Sequence, residues 1–275
     1  MSRPKHPKLR RAIIETCLQM NALGINQGTS GNVSARVPEG FLITPSGIPY
    51  DKLKPEQIVA MDLDGGYSGE WLPSSEWRMH LDIYVDRPEA QAVVHTHSTY
   101  ATALASLRKD VPSFHYMMAV TGGPTLRCSD YQTFGTKALS DTMLKALKDR
   151  TACLLANHGQ ICFGPSLDKA LWLAGEIETL CRQYFIACQA GKPAILGPAE
   201  MKRVQARFKT YGKQSDELAE GDAPAVEAPV RRDAALVRKA PPTKKKAAKR
   251  KSTAKKPAAK KKAATAKKRK AGRRA

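Results

Sequence analysis

Three histidines and one glutamate occupy positions suited to binding a metal ion. His95 and His97 stand two residues apart at the end of one apolar run, and His158 follows another. Alternate residues of an extended segment point to the same side, so His95 and His97 can approach a single cation. Neutral imidazoles suit zinc, which leaves a fourth position for a carboxylate such as Glu76, a water or a substrate oxygen.

Glu76 lies at the start of a segment whose apolar spacing predicts a helix. The expected buried stripe consists of Trp77, Leu81, Tyr84 and Val85. We expect Ser74 or Ser75 to be the N-cap and Glu76 to lie in the first turn. The free N–H groups of a helix N-terminus and the two hydroxyls would suit a phosphate beside the carboxylate. The same residues are also compatible with an ordinary N-cap that binds nothing.

Two loops, 27–32 and 43–48, consist mainly of small and hydroxyl-bearing residues. Small residues let backbone N–H groups approach an anion, and hydroxyls add donors. Neither loop continues into the Gly-Lys-Ser/Thr of a P-loop, and no G-x-G-x-x-G motif opens a helix after a strand, so nucleotide binding has no support. Taken singly, each loop is equally compatible with a simple turn.

The spacing of apolar residues predicts the elements that must position these side chains. Strands are expected around 32–43, 91–95 and 152–157. Helices are expected from about residue 9 to Gly24, over 136–149 and over 166–189. This alternation indicates an α/β domain, and roughly 213 residues can form one substantial core.

Five segments, in order, resemble the class II aldolase/adducin family, and within it the sugar-phosphate aldolases. These segments are 26–34, 42–50, 72–78, 92–97 and 155–159. The resemblance runs from about residue 8 to residue 212 and includes 114–117 and 133–136. It implies a three-layer α/β/α fold with a mixed central sheet, assembled as a homotetramer whose sites lie between subunits.

The family pattern also implies roles for single residues. It makes His95, His97 and His158 the ligands of one zinc ion per subunit, with Glu76 as fourth ligand and acid/base. The residues implied for the substrate phosphate are Gly31, Asn32, Ser46, Gly47, Ser74 and Ser75. Position 46 is serine where the pattern has threonine, so its hydroxyl is kept.

The activity implied is reversible cleavage of a ketose 1-phosphate to dihydroxyacetone phosphate and an aldehyde. L-fuculose 1-phosphate and related pentulose or 5-deoxypentulose 1-phosphates are the expected substrates. Tyr116, contributed by the neighbouring subunit, would be a second acid/base, and Tyr211 would close over the substrate. Asn157 stands where the pattern has a histidine, so the identity of the sugar stays open.

Other functions on the same fold remain open. A methylthioribulose-1-phosphate dehydratase or a pentulose-5-phosphate 4-epimerase would use the same histidines. The epimerase pattern usually has aspartate where this chain has Glu76, and Tyr116 and Tyr211 favour aldol cleavage over dehydration. A non-catalytic scaffold of the adducin type would lack the metal ligands, and a DNA-associated protein with a vestigial fold would bind no zinc.

Charge divides the chain into two parts. Residues 231–275 contain 21 of the 46 Lys and Arg residues and one acid, Asp233, which gives this segment about +20. The segment has no aromatic residue and few aliphatic ones, so we expect a disordered tail, joined by a linker (214–230) to a catalytic domain (1–213). We expect salt-sensitive association of this tail with nucleic acid or another polyanion, although the charge could also serve solubility alone.

The remaining features concern location. No signal-peptide pattern follows Met1, and no stretch approaches 18 apolar residues, so we expect a cytoplasmic protein that does not bind membranes and that the tail could bring to the nucleoid. The six cysteines lack Cys-x-x-Cys spacing and are expected to be reduced core residues. Cys162 is expected to pack in the core and not to bind metal.

Overall fold

A computed structural model describes residues 4–210. Its α-helices are Pro7–Ala22 (α1), Trp77–Asp86 (α2), Thr99–Ala105 (α3), Lys137–Leu147 (α4), Leu167–Ala190 (α5) and Pro198–Phe208 (α6). Short 3₁₀ helices cover Tyr50–Lys52, Pro55–Gln57 and Tyr116–Thr121. Tyr211, the predicted linker and the basic tail lie outside the described residues.

The strands of this part of the chain form one mixed sheet. They are Asn32–Val37 (β1), Gly40–Ile43 (β2), Val59–Met61 (β3), Tyr67–Ser68 (β4), Ala92–Thr96 (β5), Cys128–Ser129 (β6), Ala152–Leu155 (β7) and Gly159–Gly164 (β8). Their order is β4-β3-β2-β1-β5-β8-β7-β6, and only the β6–β7 pair is parallel. Because β5 lies between β1 and β8, the strand that carries His95 is in the middle of the sheet.

Helices cover both faces of the sheet. On one face α1 and α5 bury residues such as Ile13 and Ile177. On the other face α2 and α4 bury residues such as Met143. Within β5, Val94 joins the first core and Val93 the second, as expected for a strand buried on both sides. The predicted three-layer α/β/α fold with a mixed sheet is confirmed.

Most of the predicted elements are present, and one predicted strand is divided into two. α1, α4 and α5 match the predicted helices, and β5 and β7 match two predicted strands. The predicted strand over 32–43 is instead the hairpin β1–β2, in which Val37 pairs with Gly40 across a two-residue turn. Pro38 cannot donate to a ladder and Gly40 has a φ of 146°, so the chain reverses there.

The predicted start and buried face of α2 are partly wrong. Glu76, not a serine, occupies the N-cap position, and the Ser74 hydroxyl accepts the Glu76 N–H at 3.3 Å. Val85 is 58% exposed, whereas Met79 and Ile83 are buried. The buried face is rotated because α2 packs against α4 as well as against the sheet.

Within residues 4–210, no helix is long and apolar enough to cross a membrane. All six cysteines are unpaired, as predicted. Cys162 is buried, and its thiol lies 3.3 Å from the Ala170 carbonyl oxygen, which confirms its predicted place in the core. Cys188 is exposed, so the expectation of a core position is wrong for this residue, which lies near the solvent-facing end of α5.

Candidate metal centre and active site

Four side chains from three parts of the chain meet at one end of the central strands of the sheet. His95 lies near the end of β5, His97 follows that strand, His158 lies in the turn between β7 and β8, and Glu76 is the N-cap of α2. The nitrogen and oxygen atoms that they offer all lie within 4.8 Å of one another. The structure therefore brings together all four residues predicted to be metal ligands. No other group of this kind is found in the described part of the chain.

Glu76 lies between two of the imidazoles. Its Oε2 is 3.1 Å from Nε2 of His95, and its Oε1 is 3.0 Å from Nε2 of His158. Nε2 of His97 is 3.0 Å from Nε2 of His95. The three rings lie edge to face, with centroids 4.7 to 4.9 Å apart. Side chains of His95 and Glu76 are 0% and 7% exposed, so water screens this cluster poorly.

The hydrogen bonds of His95 determine where its proton lies. Nδ1 of His95 is 2.7 Å from the Gln160 carbonyl oxygen, which can only accept, so Nδ1 carries a hydrogen. In the neutral ring Nε2 then presents a lone pair towards both Glu76 and His97. Lone pairs and a carboxylate that point at one another repel unless a proton or a metal cation lies between them.

The titration of these groups is coupled. Burial opposes charge on Glu76, but His95 and His158 outweigh it and hold the pKa of this carboxyl well below its usual range. For His95, burial lowers the pKa but the Glu76 carboxylate more than compensates, so the pKa is raised. Burial, followed by the charges of His95 and His158, lowers the pKa of His97 to about 4, which leaves a neutral imidazole near pH 7.

The residues present fit a divalent cation. The Oε1 atom of Glu76 is buried, and apart from its contact with Nε2 of His158 at 3.0 Å no described residue offers it a hydrogen bond. A buried carboxylate oxygen without a donor is costly unless a cation balances it. Three imidazole nitrogens and a carboxylate are also the donor set that zinc and similar metals accept.

A close approach between strands brings the histidines together. In the ladder between β5 and β8, Thr96 pairs with Gln160. A Cβ on Gly159 would lie 2.4 Å from the Thr96 carbonyl oxygen, so only glycine permits this approach. His158, the residue before Gly159, is thereby held close to His97 at the end of β5.

The loops predicted to bind phosphate adjoin the cluster. Pro45 and Pro73 form an isolated antiparallel bridge, so the loop with Ser46 and Gly47 runs beside the loop with Ser74 and Ser75. The backbone N–H of Ser46 donates to Leu72 at 3.1 Å, and that of Ser74 donates to Thr44 at 2.9 Å. The loop with Ser74 and Ser75 leads directly into Glu76, so the predicted phosphate residues of both loops lie near a candidate metal ligand.

Gly31 and Asn32 also lie against the cluster. In the β1–β5 ladder Asn32 pairs with His95. A Cβ on Gly31 would lie 2.6 Å from the His95 carbonyl oxygen, which explains the glycine. Both ends of the Asn32 amide are engaged, by Glu76 at 2.9 Å and by His80 at 2.5 Å.

A cavity of about 390 Å³ opens beside the cluster. Its lining residues are Thr29, Ser30, Ser75, Glu76, His97, Tyr131, Gln132, Phe134, Asn157 and His158. The sequence analysis assigns no role to Tyr131 or Gln132, although both directly precede the segment 133–136 of the family resemblance. Arg108 supports one wall, since its Nε donates to Asn157 at 2.6 Å and its guanidinium lies 5.3 Å from the centre of the Tyr131 ring.

Tyr116, one of the two predicted tyrosines, is not brought to this cavity in its own chain. Tyr116 is 50% exposed, and its ring stacks at 6.4 Å on that of Phe208. It is not among the residues that line the cavity of its own chain. Tyr211 lies just beyond the described residues, so its predicted role stays a prediction.

Known proteins resemble this chain over about three quarters of its length. The family model described as the class II aldolase and adducin N-terminal domain matches residues 11–185. The L-fuculose phosphate aldolase of Escherichia coli (strain K12) is 48% identical over 211 residues, which cover 76% of this chain and 98% of that protein. A solved structure of an L-fuculose 1-phosphate aldolase superposes with a TM-score of 0.71 at 39% identity and covers 74% of this chain and 96% of that chain.

A second kind of relative has a different named substrate. The 5-methylthioribulose-1-phosphate/5-deoxyribulose-1-phosphate aldolase of Rhodospirillum rubrum is 48% identical over 204 residues, covering 74% of this chain and 92% of that protein. The two relatives are equally similar to this chain, so identity alone does not separate their substrates.

Proposed function

Since this chain belongs to the class II aldolase and adducin N-terminal domain family, we propose that it is a metal-dependent aldehyde-lyase that cleaves a ketose 1-phosphate. The products are dihydroxyacetone phosphate and an aldehyde. The observation that carries the proposal is the convergence of Glu76, His95, His97 and His158 beside two loops rich in serine and glycine. The bond that breaks is the carbon–carbon bond that joins the ketone-bearing fragment to the carbon that becomes the aldehyde.

We propose one zinc ion per subunit, held by His95, His97, His158 and Glu76. When bound, the metal supplies Lewis-acid stabilisation of the negative charge that develops on the substrate as the carbon–carbon bond breaks. His97 is available as a ligand because its lowered pKa leaves it neutral.

The residues of the chain would bind the substrate phosphate and transfer the protons. The phosphate would be held by Gly31, Asn32, Ser46, Gly47, Ser74 and Ser75. In the direction of synthesis the Glu76 carboxylate takes a proton from the reacting carbon of dihydroxyacetone phosphate, and the phenol of Tyr116 gives its proton to the aldehyde oxygen. Cleavage reverses both transfers, and Tyr211 would close over the bound substrate.

The named relatives favour aldol cleavage over the alternatives that the sequence left open. Both are aldolases, whereas a dehydratase or epimerase would share only the histidines. The complete set of candidate ligands argues against a non-catalytic scaffold. The preferred sugar is set by the wall of the cavity that contains Asn157 and Phe134, where 5-deoxypentulose and fuculose phosphates would differ.

The test is release of dihydroxyacetone phosphate from L-fuculose 1-phosphate and 5-deoxyribulose 1-phosphate by metal-analysed protein. We expect cleavage that a chelator abolishes and added zinc restores, with a loss of at least about 100-fold in kcat for Glu76→Gln. Glu15→Gln, which changes an exposed carboxylate on α1, is the matched control and should retain full activity. Metal-loaded protein that releases no dihydroxyacetone phosphate from either substrate would contradict the proposal.

We further propose a homotetramer in which Tyr116 completes the site of a neighbouring subunit. The support is that Tyr116 is half-exposed and does not line the cavity of its own chain. Mixed oligomers of Glu76→Gln and Tyr116→Phe chains provide the test, because some of their sites would combine an intact Glu76 with an intact Tyr116. Mixtures should therefore be more active than either variant alone, and an activity equal to the mean of the two would contradict a shared site.

We also propose that the segment 231–275 associates with nucleic acid or another polyanion. The support is its composition, with 21 basic residues and one acidic residue. The absence of aromatic residues from that segment of the sequence removes the stacking groups that single-strand binding uses, so the association would be independent of base sequence. We propose a cytoplasmic location, with part of the protein held at the nucleoid through this segment.

A further inference from the structure

A row of buried polar side chains extends from Glu76 into the core between the sheet and α2. Glu76 Oε2 is 2.9 Å from Nδ2 of Asn32, and Oδ1 of Asn32 is 2.5 Å from Nε2 of His80. Nδ1 of His80 is 2.6 Å from the hydroxyl of Ser34, which is 2.8 Å from the hydroxyl of Tyr84. All five residues are at most 5% exposed. A buried network in which every member has a hydrogen-bond partner stabilises one arrangement of these side chains over the others.

The chemistry of the end group fixes the direction of every hydrogen bond in this row. An ionised Glu76 can only accept, so the amide of Asn32 must donate through Nδ2 and present Oδ1 to His80. Oδ1 can only accept, so Nε2 of His80 carries a hydrogen. Neutral His80 then accepts at Nδ1 from Ser34, and Ser34 accepts from Tyr84.

The imidazole of His80 is held in this neutral form by its surroundings. It is fully buried, and burial is the main cause that lowers the pKa of His80 to about 3. No carboxylate pairs with it directly, since the hydrogen-bond partners of its two nitrogens are Asn32 and Ser34. The donor that Asn32 requires is therefore present throughout the range in which the enzyme would work.

The opposite orientation of the Asn32 amide would be unfavourable at both ends. Its Oδ1 would face the Glu76 carboxylate, and its Nδ2 would face the N–H of His80. Two acceptors and two donors would then be opposed in a buried site. The proton on Nε2 of His80 thus selects the amide orientation that supplies a donor to Glu76.

We propose that His80 is a positioning residue for Glu76, acting through Asn32 to hold the carboxylate in the orientation that directs it at His95 and His158. This inference rests on the proposed aldolase function and assigns a role to a histidine outside the metal cluster. Without the Nε2–H donor, Asn32 can rotate, and Glu76 loses the hydrogen bond that fixes its Oε2.

The test compares His80→Leu with His80→Gln. Leucine removes the donor at similar volume, whereas the amide of glutamine can donate to Asn32 in place of Nε2. For His80→Leu we expect a loss of about 10- to 100-fold in both kcat and zinc affinity, measured against a competing chelator, as found for residues that support metal ligands. The KM for the ketose 1-phosphate should change by less than about threefold, because the phosphate loops are untouched. His80→Gln should recover most of both losses.

A matched core variant separates positioning from general destabilisation. Ile83→Ala lies on the same helix, is fully buried and has no part in the polar row. It should lower the free energy of unfolding while leaving kcat and zinc affinity within about twofold, since it changes packing only. Equal losses in Ile83→Ala and His80→Leu, or no loss in a folded His80→Leu, would overturn the proposal.

A spectroscopic measurement on the unmodified chain covers the case in which His80→Leu does not fold. Nitrogen-15 NMR of the histidine rings should show His80 protonated at Nε2 and bare at Nδ1, without titration between about pH 5 and pH 8. The Nδ1–H tautomer would reverse the Asn32 amide and refute the proposal. Zinc affinity and the ring signals need no turnover, so these results stand apart from any failure of the proposed aldolase activity.

Discussion

The protonation state of each group in this site depends strongly on the groups around it. The Glu76 carboxylate raises the pKa of His95, while the charges around His97 reinforce burial and lower its pKa. Because the side chains share a poorly hydrated space, a change at one position alters the charge of the others. Loss of one ligand should therefore affect the site as a unit, and effects of double substitutions should not be additive.

His80 makes the stability of the metal-free protein depend on pH. Its pKa is about 3 in the folded protein and about 6.5 in the unfolded chain. Between these values the unfolded chain binds a proton that the folded protein does not, so stability is lost as the pH falls through this window. The slope from this one group is at most about 1.4 kcal/mol per pH unit.

Urea unfolding of chelator-treated protein between about pH 4 and pH 7 measures this effect. His80→Gln lacks the titrating ring, so its free energy of unfolding should fall less steeply with acid than that of the parent. Contributions from His97 are common to both proteins and cancel in the comparison. Parallel curves for the two proteins would show that His80 does not carry the pH dependence.

At position 157 we expect glycine to destabilise the protein less than alanine, which is the reverse of their usual order. Its φ is 53°, in the left-handed region, where alanine costs about 1 kcal/mol or more and glycine costs little. Both substitutions remove the acceptor for Arg108, so their difference reports the backbone alone. We expect Asn157→Ala to be less stable than Asn157→Gly by about 1 kcal/mol in urea unfolding, and an equal or greater stability for alanine would contradict this account.

The candidate metal ligands were predictable because each lies in a short, recognisable segment of sequence. The row of buried polar side chains behind Glu76 was not predictable. His80 looks like any polar residue of an amphipathic helix until β1 is placed beside α2. Tyr131 and Gln132 were missed for a related reason. They belong to an irregular segment, and only the folded chain shows that this segment forms one side of the cavity.

At the level of elements, the connections after β5 hold the second histidine in place. His97 is followed at once by α3, whose first N–H groups would otherwise lack partners. The carboxylate of Glu178, on α5, accepts from the N–H of Tyr100 at 2.9 and 3.1 Å and from that of Ala101 at 2.9 Å. A side chain from a different helix thus acts as the N-terminal cap of α3 and anchors the segment that bears His97.

Removal of this anchor should weaken both the fold and the metal site. We expect Glu178→Ala to lower the free energy of unfolding by about 1 to 3 kcal/mol, because a charged acceptor for the N-terminal N–H groups of α3 is lost. Zinc affinity should also fall, since His97 lies two residues before α3. Glu176→Ala, on the same helix and with no side-chain hydrogen bond within the described residues, is the control. Equal stability of the two variants in urea would contradict the role of Glu178.

The longest helices were predictable from the sequence, whereas the shortest strands were not. The helices α1, α4 and α5 are long enough for a period near 3.6 to be visible in the sequence. Strands β3, β4 and β6 have only two or three residues each, too few to show alternation. Their positions depend on pairing with longer neighbours, which is information that the local sequence does not contain.

For the whole molecule, the sequence joins two parts with opposite physical requirements. Residues before 231 are close to electrically neutral and contain the residues that build the core, whereas 231–275 carries about +20. Neutrality allows compact packing, while a dense positive charge favours association with polyanions at a strength that depends on salt. Since no predicted site residue lies beyond Tyr211, we expect catalysis and polyanion binding to be separable.

Deletion of residues 214–275 tests this separation. We expect kcat/KM for the ketose 1-phosphate to stay within about twofold of the full-length value, because every proposed metal, phosphate and acid/base residue is retained. Binding to duplex DNA should be lost, and with it the steep fall of affinity with salt, about 0.9 logarithmic units per phosphate contact for each tenfold rise in salt. A full-length chain in which the order of residues 231–275 is shuffled keeps the charge and should bind DNA as the parent does. Weak binding by the shuffled chain would show that the order of tail residues matters, and a collapse of turnover on truncation would show that the two parts depend on each other.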